Sequence, residues 1–176
     1  MEYRVRRDRG YFYVEQEDWK CLTIEFFKGT TLEAEFQIGN KEFLIWSQNS
    51  LGTSYEIFRS GVSRGRIKYG ITGAKISIKS DFLEEDRQYF FRNKSTWRRQ
   101  YKLTNKEDKE ILIMHYKPEF KGFDILYNLS FQFVDLSLSE AEEIECVAYA
   151  CFLASMYLNM NMNWRGKKRK GKRFGL

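Results

Sequence analysis

Residues 146–158 constrain this chain most, because in this run of thirteen residues, counting tyrosine as aromatic, Ser155 is the only polar one. A helix that is apolar on all sides is buried in a core or in a membrane. Upstream, Ser139 and Glu142 have the spacing of a capping box, which marks a helix start. The pattern predicts a helix over residues 139–162 that is buried on all sides.

The same segment is too short to cross a bilayer. A spanning helix needs about 20 apolar residues, and a run of about 10–14 is more typical of a core helix. The basic residues that follow resemble the flank of a membrane anchor. Length decides between these interpretations, and we expect a helix inside a protein core and no transmembrane span.

Most of the chain before this helix alternates between apolar and polar residues with the period of a β-strand. In the segment 66–71, we expect Ile67, Tyr69 and Ile71 to share one face. The pair Gly39 and Asn40 between two apolar runs predicts a tight hairpin. The pattern predicts strands at residues 11–14, 21–27, 32–38, 43–46, 55–58, 66–71, 74–78, 88–92, 97–103, 110–115 and 127–134, with a twelfth at 3–6 if it pairs.

This order of elements, about twelve short strands and then one apolar helix, resembles the tubby C-terminal-like superfamily. That superfamily includes the LURP-one-related and phospholipid scramblase families. The resemblance covers roughly residues 3–164. It implies a mainly β fold: a closed antiparallel β-barrel of about twelve strands around a buried C-terminal hydrophobic helix. No phosphoinositide-binding or calcium-binding motif of the superfamily matches here, so no binding residue is carried over. A different β-barrel, or an α+β fold with the helix on one open sheet, is the alternative.

Charge divides the chain into a body and a tail. The 176 residues include 30 basic and 24 acidic side chains, giving a net charge of +6, and this length suits one domain. Residues 165–176 hold seven of the basic side chains and none of the acidic ones, which leaves 23 basic against 24 acidic in residues 1–164. We expect a single barrel domain over 1–164 and a flexible basic tail over 165–176.

Two stretches of the body, 57–80 and 87–106, also lack acidic residues. Together they would form one positive face for lipid phosphates, nucleic acid or an acidic protein. The alternative is that these charges solvate the sheet and pair with acids on adjacent strands. The candidate polyanion-binding residues are Arg66, Lys68, Lys75, Lys79, Arg98 and Lys102 in the body, and Lys167, Lys168, Arg169, Lys170, Lys172 and Arg173 in the tail.

No pattern typical of catalysis, metal binding or a cofactor occurs. The single histidine, His115, lies in a strand pattern and is expected to be structural. The cysteines Cys21, Cys146 and Cys151 have neither the spacing of a disulfide framework nor that of a zinc site, and we expect free thiols. The acidic run 81–86 lacks the ligand spacing of a calcium loop. We therefore expect no catalytic residue, no metal and no cofactor.

These observations predict a non-enzymatic binding domain that engages anionic lipid headgroups or another polyanion. Nucleic-acid binding is the alternative, and it requires Trp97 or Tyr101 to point outward so that bases can stack on it. An enzyme with a site in the barrel lumen would need a polar cavity beside the helix, which has almost no polar residue to line one. The charged residues 1–10 lack the apolar core of a secretory signal. We therefore expect a cytoplasmic protein, in peripheral contact with a membrane if lipid is its partner.

Overall fold

The computed structural model describes residues 2–8, 10–17, 19–28, 31–79, 86–121, 124–135 and 137–158. Within these ranges the chain forms twelve strands and then one helix. The strands are β1 (Glu2–Asp8), β2 (Tyr11–Gln16), β3 (Trp19–Lys28), β4 (Leu32–Ile38), β5 (Lys41–Ser47), β6 (Ser54–Arg59), β7 (Val62–Gly70), β8 (Gly73–Ile78), β9 (Arg87–Ser95), β10 (Gln100–Thr104), β11 (Glu110–Lys121) and β12 (Asp124–Phe133), and the helix is α1 (Glu140–Tyr157).

The twelve strands form one closed barrel in which each strand pairs antiparallel with its neighbours in the chain. The predicted twelfth strand closes it, because Val5 of β1 is the register partner of Val14 on β2 and of Leu129 on β12. Closure pairs each of the twelve described strands on both sides, so none of these strands offers an edge for another chain to extend. The prediction of a closed antiparallel barrel of about twelve strands with a C-terminal helix inside it is confirmed.

Because the strands alternate in direction, successive turns lie at opposite ends of the barrel. The helix α1 begins beside the start of β9, where Arg87 bonds Glu142. It ends beside the last residue of β7, where the Tyr157 hydroxyl donates to the Gly70 carbonyl at 2.7 Å. We name these the helix-entry end and the helix-exit end. The turns at 39–40, 60–61 and 105–109 lie at the helix-entry end, and those at 48–53, 71–72 and 96–99 at the helix-exit end.

The strands bury alternate residues, as the sequence pattern predicts. In β8, Ala74, Ile76 and Ile78 are buried, while Lys75 between them points outward. The expectation that Ile71 shares the inner face of β7 is wrong. The hairpin between β7 and β8 closes at the pair Gly70 and Gly73, so Ile71 falls in the turn and is 99% exposed.

Two further turns test the sequence patterns. The predicted hairpin at Gly39 is confirmed: it joins β4 to β5, and Gly39 has a φ of +59°, a conformation that favours glycine. The strand predicted from Trp97 onward is wrong at its start. Residues 96–99 form a turn, held by a hydrogen bond from the Arg99 amide to the Thr96 carbonyl at 3.2 Å, and β10 starts at Gln100.

The helix α1 fills the barrel lumen. Its predicted capping box is present, with the Ser139 amide and hydroxyl donating to Glu142 Oε2 at 2.9 and 2.8 Å. Every residue from 146 to 154 is at most 1% exposed, which confirms burial on all sides, and the Phe152 ring meets Tyr55 at 5.1 Å. The predicted helix end at 159–162 lies outside the described residues. Within the described ranges, no helix combines the length and the apolar character that crossing a bilayer requires.

Candidate polyanion-binding surface

The barrel places the two basic stretches side by side. The first stretch supplies β7 and β8 and the second supplies β9 and β10, and these four strands are consecutive neighbours in the barrel. The cations on their outer surface include Arg66 and Lys68 on β7, Lys75 on β8, and Arg92 on β9. We call these four the basic face. Of them, Arg92 is not among the candidates that the sequence singled out.

Like charges sit directly opposite each other on this face. Lys68 is the register partner of Lys75, and Arg92 is the register partner of Lys102 on β10. Directly opposed like charges destabilise a sheet. The Phe90 ring contacts one member of each pair, with Lys75 Nζ at 5.8 Å and Arg92 Cζ at 5.0 Å from its centroid, and its negative π face attracts both cations.

Ion pairs form on the β10 side of the basic surface, and on its other side Glu56 of β6 is the register partner of Arg66. Lys102 lies 3.7 Å from Glu110 and 3.6 Å from Asp108, and Lys94 donates to Glu110 at 2.6 Å. The hydrogen bond from Lys94 holds the pKa of Glu110 below its usual range. These pairs match the alternative that strand charges neutralise one another. Among the described residues, no carboxylate forms an ion pair with any member of the basic face.

The remaining candidates lie elsewhere. Arg98 occupies the turn 96–99 at the helix-exit end, beside Trp97, which is 98% exposed. Tyr101 points inward instead, stacked on Phe91 at 5.1 Å. Lys79 follows β8 at the helix-entry end, away from the basic face. The six tail candidates at 167–173 lie outside the described residues.

A shallow groove of about 440 Å³ crosses the outer surface of β11, β12 and β1, beside the turn 96–99. Barrel closure brings its cations together from distant parts of the sequence, and sequence analysis identified only Arg98 among them. Its charged lining consists of Glu2, Arg4, Arg98, Arg99 and Lys117, with His115 beside them. Glu2 lies 3.6 Å from Arg4, and His115 Nδ1 lies 3.3 Å from Gln100 Nε2.

A second cavity, of about 290 Å³, opens at the helix-entry end between the barrel rim and the first turns of α1. Its lining includes four cations and two carboxylates: Lys41, Arg59, Lys79, Arg87, Glu142 and Glu145. The expectation that the helix offers almost no polar lining is therefore wrong for its first two turns. Three of its cations, Arg59, Lys79 and Arg87, lie in the two basic stretches. The sequence did not indicate that they meet, because the four cations come from the ends of four different strands.

The pKa values of the two carboxyls in this cavity shift in opposite directions. Burial raises the pKa of Glu145, although it accepts a hydrogen bond from Tyr149. Burial acts in the same direction on Glu142, but the hydrogen bonds from Ser139 and Arg87 outweigh it and lower the pKa. Glu142 thus binds the helix cap and Glu145 binds a neighbouring residue of the helix, so both carboxyls have a structural role.

The cysteines and other potential ligands form no reactive centre in the part of the chain that the structure describes. Cys146 and Cys151 are buried in α1 as free thiols, and burial raises the pKa of both. Cys21 is also free and donates to the Val14 carbonyl at 3.3 Å. Within the described ranges, no group of three or more His, Cys, Asp or Glu side chains is placed to hold a metal ion.

Comparison with family models, with curated proteins and with solved structures gives no significant match. The barrel and its central helix agree with the architecture implied by the tubby-like resemblance. Membership of that superfamily stays a prediction.

Proposed function

We propose that this barrel is a non-enzymatic module that binds an anionic lipid surface through its basic face. The observation that carries the proposal is the pair Lys68 and Lys75: two lysines directly opposed on adjacent strands, with no described carboxylate to neutralise them. An opposed like-charge pair costs about 0.2–1 kcal/mol of sheet stability. A bound layer of phosphate groups would relieve that cost.

The surroundings of the pair support a broad anionic partner. Arg66 and Arg92 flank it on the same outer surface, so the cations spread over three neighbouring strands. They line neither of the two cavities described above, and their spread over neighbouring strands suits an extended surface. Basic residues close to an anionic bilayer each contribute about 1 kcal/mol. The seven basic residues of the tail would add to this attraction. The proposal therefore includes peripheral contact with a membrane.

The test compares two charge-matched double variants. Lys68→Gln with Lys75→Gln removes the opposed pair, and Lys20→Gln with Lys109→Gln removes two exposed lysines from other parts of the surface. At about 1 kcal/mol per lysine, the first variant should bind mixed phosphatidylserine–phosphatidylcholine vesicles about 30-fold more weakly. Its stability to denaturant should be equal to or above that of the wild type. Equal vesicle binding by the two double variants would contradict the proposal.

One observation favours nucleic acid as the second candidate. Trp97 meets the requirement for an outward aromatic, and it adjoins the groove lined by Arg4, Arg99 and Lys117. Bases stack on exposed aromatics beside cations that bind the backbone. Lys117→Gln separates the candidates, because Lys117 lies in this groove and outside the basic face. Loss of single-stranded oligonucleotide binding in Lys117→Gln, with the Lys68 and Lys75 variant unaffected, would favour nucleic acid.

A further inference from the structure

The most exposed apolar side chains of the described residues are gathered at one end of the barrel. Leu51 is 82% exposed, Ile71 is 99% exposed and Trp97 is 98% exposed. They occupy the turns 48–53, 71–72 and 96–99, which are three successive turns of the helix-exit end. The other exposed large apolar side chains, Trp46, Val62 and Val134, are at most 54% exposed.

From this arrangement we infer that the helix-exit end inserts these three side chains into the interfacial layer of an anionic bilayer. The inference rests on the proposed function and deepens it, because it assigns the end of the barrel that faces the membrane. An apolar tip at each of three neighbouring turns has no role in the barrel core. Tryptophan in particular suits the boundary between headgroups and acyl chains, because its ring is largely apolar while its N–H can stay hydrated.

Hydrogen bonds fix the backbone of the turns that carry these side chains. In the first turn, Asn49 Oδ1 accepts the Thr53 amide at 3.0 Å. The Thr53 carbonyl accepts the Tyr69 amide at 2.8 Å, which ties this turn to β7 just before Ile71. In the third turn, the Ser95 hydroxyl accepts the Arg98 amide at 3.2 Å. Rigid presentation reduces the ordering cost of insertion.

The charge around the tips matches an anionic surface. The three turns contain no acidic residue, and Arg98 and Arg99 directly follow Trp97. Lys68 and Lys75 lie on the strands on either side of the Ile71 turn. The described acidic residues of β5 to β10, Glu42 and Glu56, lie at the helix-entry end of β5 and within β6. Toward the helix-exit end, the other strands do carry acidic residues: Asp8 on β1, Glu25 on β3, Glu33 on β4, Glu119 on β11 and Asp124 on β12.

The helix α1 also ends at the helix-exit end. The hydroxyl of Tyr157 is bonded to Gly70, the residue before Ile71, and Leu158 is the last described residue. Leu158 therefore follows a residue that lies beside the apolar tips, and the basic tail, residues 165–176, comes after it in the sequence. Its seven cations and no acids give it the charge that an anionic bilayer attracts.

The experiment removes the tips and measures sedimentation with vesicles of phosphatidylserine and phosphatidylcholine. The test variant is Leu51→Ser with Ile71→Ser and Trp97→Ser. The matched control is Val62→Ser with Val134→Ser, which changes half-exposed apolar side chains at the helix-entry end. Each inserted tip should contribute about tenfold to vesicle affinity, so the test variant, which removes three tips, should lose about a thousandfold and the control should change less than threefold.

The outcomes separate this inference from the proposed function. If the wild type does not bind these vesicles, both the proposed function and the inference are overturned. If the test variant binds like the wild type, while the Lys68 and Lys75 variant loses affinity, the function stands and the inference is overturned. Loss of oligonucleotide binding alone, or of self-association alone, in the test variant would assign the tips to those partners and overturn it too.

Discussion

Among single residues, Glu145 shows how the buried helix affects its own carboxyls. The raised pKa means that the folded protein holds the Glu145 proton more tightly than the unfolded chain does. Folding stability therefore carries no penalty from this group below the ordinary glutamate pKa of 4.5, and it falls as pH rises through and above that value. The carbonyl of glutamine can accept the same Tyr149 hydrogen bond without ionising.

We predict that Glu145→Gln gains stability relative to the wild type as pH rises from about 4 to about 7. The measurement is the free energy of unfolding of both proteins in urea at several pH values. Other titrating groups are common to both proteins and cancel in the difference. Glu107→Gln, which removes one negative charge at an exposed position, serves as the control for the loss of charge. A Glu145→Gln difference that is constant across this pH range would contradict the account.

At the scale of elements, α1 is the core of the barrel. Residues 146–154 of α1 are buried and carry no charge, and Phe152 is fully buried with its ring edge-on to Tyr55 of β6. A carboxylate at this position would be an unpaired charge in an apolar interior. Such a charge costs several kcal/mol, which is comparable to the whole stability of a domain.

We predict that Phe152→Asp abolishes cooperative folding, whereas Phe152→Leu folds with stability reduced by about 1–3 kcal/mol. Ala141→Asp is the matched control, because it adds the same charge to an exposed position in the first turn of the same helix, where an acid is favourable. The measurement is thermal unfolding followed by near-ultraviolet circular dichroism. A Phe152→Asp protein that melts like the wild type would show that α1 does not fill the lumen.

Alternation and capping predicted the elements well, since both depend on residues close together in the chain. Lys75 between Ala74 and Ile76 points outward as the pattern requires, and Ser139 begins the helix. The pattern failed where strands end. Ile71 continues the alternation of β7 but belongs to a turn, and Trp97 precedes β10 for the same reason. The position of a turn depends on which residues pair across the hairpin, and a single strand pattern does not contain that information.

At the scale of the whole molecule, closure of the barrel decides which charges become neighbours. Sequence analysis found the basic stretches because each is contiguous, and the register of β7 with β8 then opposes Lys68 and Lys75. The groove combines Arg4, Arg99 and Lys117, which meet only because β1 pairs with β12. No local signal in the sequence could have joined these three residues. The asymmetry of the surface, with apolar tips and a basic face toward one end, is likewise a property of the closed barrel.

The most direct test of the central claim needs no variant: acetylation of lysines in the full chain, with and without phosphatidylserine-containing vesicles, read by mass spectrometry. The account predicts that Lys68 and Lys75 react more slowly on vesicles, while Lys20 and Lys109 keep their rates. A single-stranded oligonucleotide added in place of vesicles should not protect Lys68 and Lys75 more than vesicles do. Unchanged rates at Lys68 and Lys75, with protection confined to the tail lysines or to Lys117, would contradict the claim that the basic face binds the anionic surface.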